Sequence, residues 1–169
     1  FDRSERDSYI KVVLDEYEKI IGSIRVLLSV TLPFSMLERW TQKAELQVEA
    51  GLIDEAFETM EDAEDALLGG GHDEEYVRVG KKIVEVIDWD TAGIKYKKFD
   101  ALVTRLVESL EHLGETAEVD SLIQRYAGSM ATRTARYINY CDLRAYICWL
   151  RGEFSAAVEW ASEGTTLKE

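Results

Sequence analysis

One proline in 169 residues, with glycines at most of the points where helical periodicity stops, leaves this chain little to fold into except a set of short helices. Proline is excluded from helix interiors, and here it stands only at Pro33. On either side, apolar residues recur every third or fourth position, the spacing that lays one stripe along a helix. The alternation of a half-buried strand is nearly absent. The fold class expected is all-α.

The periodicity divides into about eight helices. Ser4-x-x-Asp7 has capping-box spacing and opens a long first helix, whose stripe is Val13, Tyr17, Ile20, Ile24 and Leu27 and which Pro33 ends. Ser35-x-x-Glu38 opens a second helix that stops at Gly51, and a third is closed by Gly69-Gly70-Gly71. Asp73 is placed to cap a fourth, which carries Tyr76, Val79 and Ile83 and ends between Trp89 and Gly93. The fifth runs from near Ile94 to Leu113, and Gly114 separates it from a sixth bearing Val119, Leu122, Ile123 and Tyr126. A seventh, from near Ala131 to Leu150, is apolar on two sides, so neighbours are expected on both. Gly152 leads to an eighth, Phe154 to Leu167. Residues 1–33 are expected to form a long N-terminal helix and a linker to a further domain, and 34–169 one domain.

Composition narrows the function classes. Twenty Lys and Arg against 33 Asp and Glu give a net charge of −13 and a pI near 4.6. Such a chain is a poor partner for nucleic acid, where cations supply most of the affinity. No apolar run is long enough for a membrane span. Cys141 and Cys148, seven residues apart on one helix, would sit roughly 10 Å apart, beyond disulfide reach. With no internal disulfide within reach, a reducing, cytoplasmic setting is expected. The chain begins at Phe1 without a signal-like segment and ends inside helical periodicity, so a fragment of a longer protein is expected.

The charge is unevenly placed. Between Lys43 and Arg78 stand twelve acids and no Lys or Arg, so nearly all the net charge belongs to one hairpin and its loop. That stretch reads either as a solvated face or as a docking surface for a basic partner.

Two segments share one pattern. The first is Trp40-x3-Ala44-x6-Gly51-x4-Ala56-x6-Ala63 and the second Cys141-x3-Ala145-x6-Gly152-x4-Ala157; a bulkier copy is Val103-x3-Val107-x6-Gly114-x4-Val119. Small residues let two antiparallel helices touch, and glycine turns the chain between them. The pattern resembles the tetratricopeptide repeat, and Arg151 to Val158 is similar to that family's inter-helix turn. Gly114 to Gly152 spans 38 residues, near the family period of about 34, whereas Gly51 to Gly114 spans 63, too short for two repeats. The fourth helix is therefore expected to be unpaired or irregular.

The resemblance implies a somewhat irregular α-solenoid of antiparallel helix hairpins, a scaffold that binds a protein or peptide in a groove lined by the first helix of each pair. Carried over position by position, the groove takes Glu38, Thr41, Glu45 and Glu49 from the first copy. The bulky copy gives Thr104, Glu108, Glu111 and His112, and the last gives Asn139, Asp142, Tyr146 and Trp149. The partner-binding set expected is Glu38, Glu45, Glu49, Glu108, Asp142, Tyr146 and Trp149, for a basic or amphipathic segment with an apolar anchor.

No catalytic, cofactor or metal site is expected. Gly69 to Gly71 meets Asp73-Glu74-Glu75, which repels phosphate; the acids lack calcium-loop spacing; and His72 and His112 stand apart from the cysteines. Arg105-x6-His112, with Glu108 and Ser109 between them, is similar to the Arg–His pair of HEPN-family helical ribonucleases and is the enzyme alternative. A third reading is a scaffold or dimerisation domain within a larger sensor.

Overall fold

The structure, a computed structural model, describes residues 3–25, 34–130 and 135–167. These residues form nine helices and no strand: α1 (Arg3–Arg25), α2 (Phe34–Glu49), α3 (Ile53–Gly69), α4 (Asp73–Val86), α5 (Trp89–Lys95), α6 (Phe99–His112), α7 (Thr116–Gly128), α8 (Ala135–Leu150) and α9 (Phe154–Thr166). The all-α class is as expected. No described helix is long and apolar enough to cross a membrane. The chain divides into two compact units, 1–87 and 88–169. The expected boundary at 33–34 adjoins residues outside the described set.

Four turns are built alike. Gly51, Gly71, Gly114 and Gly152 all have φ between 74° and 77°, the left-handed region that only glycine enters without cost. At each, the glycine N–H donates to the carbonyl three residues back, and the next N–H to the carbonyl five back: Leu52 to Gln47, His72 to Leu67, Glu115 to Leu110 and Glu153 to Cys148, all at 2.8–2.9 Å. This is the Schellman ending, which satisfies carbonyls a helix terminus would otherwise orphan. The residue after each glycine begins the next helix through its carbonyl, and none of the four supplies a side-chain cap. So Asp73 lies inside α4, with His72 at the cap position. Ser4 and Ser35 are likewise inside α1 and α2. Gly70 is needed for another reason: a β-carbon there would meet Ala66 O and the His72 ring, both at 2.9 Å.

The expected fourth and fifth helices are three. Asp88 caps α5 by accepting from the Asp90 N–H at 3.2 Å and the Thr91 hydroxyl at 2.9 Å. Ile87 before it and Tyr96 after α5 are extended, which breaks the periodicity into α4, α5 and α6.

In the first unit α2 packs against α1, α3 and α4, and α4 packs on both members of the α2–α3 hairpin, so the fourth helix is not unpaired. The seam holds Trp40, Phe57, Met60, Tyr76 and Ile83, each worth about 1.5–3 kcal/mol on burial, while Ala44, Ala56 and Ala63 are 0–1% exposed, as close helix approach requires. α1 touches the unit along a narrow seam. Ile10 and Ile21 are buried and the Tyr17 hydroxyl donates to Gln42 at 3.1 Å, but Ile20 of the expected stripe is exposed. The side chains of Ile24 and Leu27 lie outside the described residues.

In the second unit α8 packs against α6, α7 and α9, which explains its two apolar sides. Cys141 and Cys148 are free and buried there. Aromatic rings run through the unit from Trp89 to Phe99 (5.2 Å), Tyr126 (6.0 Å), Tyr140 (6.4 Å) and Trp160 (5.5 Å). Arg136 lies over Phe99 and Tyr126 and donates to Asp100 at 2.9 Å. Asp100 also accepts from the Tyr126 hydroxyl at 3.0 Å, and any β-carbon at Gly93 would collide with the Arg136 guanidinium. Burial first, then the Asp100 charge, pushes the Tyr126 phenol far above the ordinary tyrosine range.

Two outcomes follow from these contacts. Nothing lies within 4 Å of a β-carbon added at Gly152, so Gly152→Ala should destabilise through backbone strain alone, by about 1–2 kcal/mol. Gly22→Ala, inside α1 and in open space, should stabilise by about 0.5–1 kcal/mol; opposite shifts of the urea midpoint check the pair. Because the folded phenol of Tyr126 holds its proton more tightly than the unfolded one, its contribution is complete below about pH 10 and declines above it. Unfolding measured from pH 8 to 11 should show that alkaline loss in wild type and a smaller one in Tyr126→Phe.

Candidate interaction surface

The seven expected binding residues fall into two groups, three on α2 in the first unit and four on α6 and α8 in the second. On α2, Glu45 is a structural anchor. Its carboxylate is half-buried and pairs with Arg78 and, at 2.6 Å, with Lys82, both on α4. Arg78 also holds Glu75 at 2.6 Å. The bases that answer the acidic hairpin therefore come from α4, outside the interval that holds the acids, a pairing that helix spacing within the hairpin does not disclose. Glu49 is exposed and 4.0 Å from Arg6 of α1, while Glu38 is half-buried. Thr41 is fully buried with its hydroxyl donating to the Glu38 carbonyl, so it lines no groove. On α3 the acids Asp54, Glu55, Glu58, Glu61, Asp62 and Asp65 lie on an exposed face.

In the second unit α6 and α8 pack together and bring three expected residues to one place. Glu108 accepts from Arg105 at 2.8 Å along α6. Tyr146 of α8 is within electrostatic reach of both: burial, then the Glu108 charge, raises its phenol above the ordinary value, and Arg105 opposes that. One turn on, Trp149 stacks on Tyr146 with ring centroids 6.3 Å apart, and Trp149 is 58% exposed. Trp40 and Trp89 are buried and Trp160 half-buried, so Trp149 is the one tryptophan that offers its face to solvent. Asp142, one turn before Tyr146, is exposed and stands beside α9, its Oδ1 3.3 Å from where a β-carbon on Gly164 would be.

The Arg105–His112 pair has a different setting from the one its spacing suggests. The Arg105 guanidinium is occupied by Glu108, whose charge opposes a phosphate, and Ser109 is buried at 1% exposure, not on a polar stripe. Arg151 is the residue that sequence reasoning passed over. From the α8–α9 turn it donates two bonds to Glu111 of α6, at 3.0 and 2.9 Å, and a third to Asp120 of α7 at 2.8 Å. The planar guanidinium matches the Glu111 carboxylate two-pronged, so Glu111 is a clamp for α8 and not part of an open groove. The partners of Arg151 lie 31 and 40 positions away, so no local pattern in the sequence marks it.

No family model, no curated protein and no solved structure matches this chain.

A charge swap separates the anchored acid from the solvated ones. Glu45→Lys places a third cation against Arg78 and Lys82 and should cost about 1–2 kcal/mol, whereas Glu58→Lys on exposed α3 should stay within about 0.5 kcal/mol. Thermal unfolding of the two variants, equal in charge change, measures the difference.

Proposed function

We propose that the chain is a non-catalytic protein-interaction module, built from tetratricopeptide-like helix hairpins, that binds a basic or amphipathic segment of a partner protein across α6 and α8. The observation that carries this reading is the exposed Trp149 stacked on Tyr146 beside Glu108. Large aromatics supply the anchors of interfaces, and a tryptophan more than half exposed contributes little to its own fold. Asp142 is exposed one turn from the aromatic pair, which favours a cationic segment with one apolar side chain for that pair, while Glu108 stays with Arg105. Support for the repeat packing comes from the four like turns and from a shared arrangement in both units, where the helix after a hairpin packs on both its members. Glu38 and Glu49 keep a place in the reading as exposed or half-exposed acids of the first unit, and Glu45 leaves it. A reducing, cytoplasmic setting belongs to the same proposal.

The test is affinity capture from source-cell lysate at low and moderate salt, with wild type beside Trp149→Ala and Tyr146→Ala. One protein, captured by wild type in a salt-sensitive way and reduced about tenfold by either variant, is the expected result. Equal capture by all three, with circular dichroism unchanged, would remove the aromatic pair from the function.

A further inference from the structure

In each hairpin the second helix turns one side to its partner and presents, beside it, a strip to whatever helix comes next. Aligned on the turn glycines, Phe57 and Met60 of α3 correspond to Val158 and Ala161 of α9, and Glu64 to Thr165. On α3 that strip is covered: Phe57 is 3% and Met60 0% exposed, and Glu64 accepts from Tyr76 of α4 at 3.4 Å. On α7 the match to Met60, Ile123, is 2% exposed, while the match to Phe57, Asp120, is an exposed acid held by Arg151 just past α8. On α9 the strip is open. Val158 is 65% exposed, Ala161 is exposed, and Phe154 one turn earlier is 64% exposed. The only buried residues of α9 are Ala157 and Gly164, and Gly164 meets Cys141 of α8.

Charge says what fits there. Phe154 to Thr166 contains Glu159 and Glu163 and no Lys or Arg, and Glu153 precedes it. Where such strips are covered, the incoming helix brings an arginine to a carboxylate of the hairpin, Arg78 to Glu45 and Arg151 to Asp120. A second copy of α9 would instead set acids against acids.

We propose that the outer strip of α9, centred on Phe154 and Val158, is a docking surface for a basic amphipathic helix of a partner protein, laid on α9 as α4 lies on α3. The variants that probe this strip and those that probe the Tyr146–Trp149 pair do not overlap.

A fluorescein-labelled amphipathic peptide of leucine and lysine, with leucines at helical positions i, i+3, i+4 and i+7, is titrated with the whole chain and followed by polarisation. Saturable binding is expected, weakened about tenfold by Val158→Glu and more modestly, about threefold, by Glu159→Lys, while Val12→Glu on α1 binds as wild type. Both α9 positions are exposed, so the variants should keep the wild-type circular dichroism and thermal midpoint. No binding to wild type, equal binding by Val158→Glu, or equal loss in Val12→Glu overturns the proposal. So does a dimer in sedimentation that Val158→Glu dissociates, which would assign the strip to a second copy.

Discussion

The left-handed glycine turn is the constraint on which this structure rests. Each turn ends one helix and starts the next within three residues, and it does so with backbone bonds alone. The usual side-chain caps are therefore dispensable at four helix starts, and the residues at those positions (Leu52, His72, Glu115 and Glu153) make no side-chain cap bond. A turn so short leaves consecutive helices antiparallel and in contact, which is why small residues recur at fixed distances from the glycine. α5 starts differently, on the Asp88 side chain, and there the chain passes from one unit to the next.

A second layer of order is ionic. In a chain of net charge −13, three cations placed between helices each address more than one partner group. Arg78 joins Glu45 and Glu75, Arg151 joins Glu111 and Asp120, and Arg136 serves Asp100 while covering two rings. All three are arginines, whose planar fork can address two acceptors where an ammonium offers a point charge. The surplus of acid stays on the outer face of α3, where water screens it.

How much of this was legible in the sequence depends on the range of the interaction. Helical periodicity, the glycine stops and the two-sided character of α8 are local properties, and they appear in the structure as read. The small-residue positions at Ala44, Ala56 and Ala63 were equally plain. The break around α5 was missed because its apolar spacing continues the neighbouring stripes, although Asp88 and Thr91 carry a cap signature. The three caps assigned to Ser4, Ser35 and Asp73 failed because a motif of two residues fits inside a helix as well as at its start. Among site residues, Glu108, Tyr146 and Trp149 lie near one another on α6 and α8. Glu45 and Glu111 do not serve as groove residues, because their partners lie 33 to 40 positions away and no local pattern registers a contact at that range.

The same turns also bear on how the chain reaches its fold. Most packed pairs are helices that follow one another in sequence within a unit, so most contacts close over one hairpin. Chains with contacts this local have little loop entropy to overcome before packing begins, and such helical domains fold on the order of microseconds to milliseconds. Each left-handed glycine fixes the reversal of its own hairpin with bonds between residues no more than five apart, so neither unit needs a distant contact to define its turns.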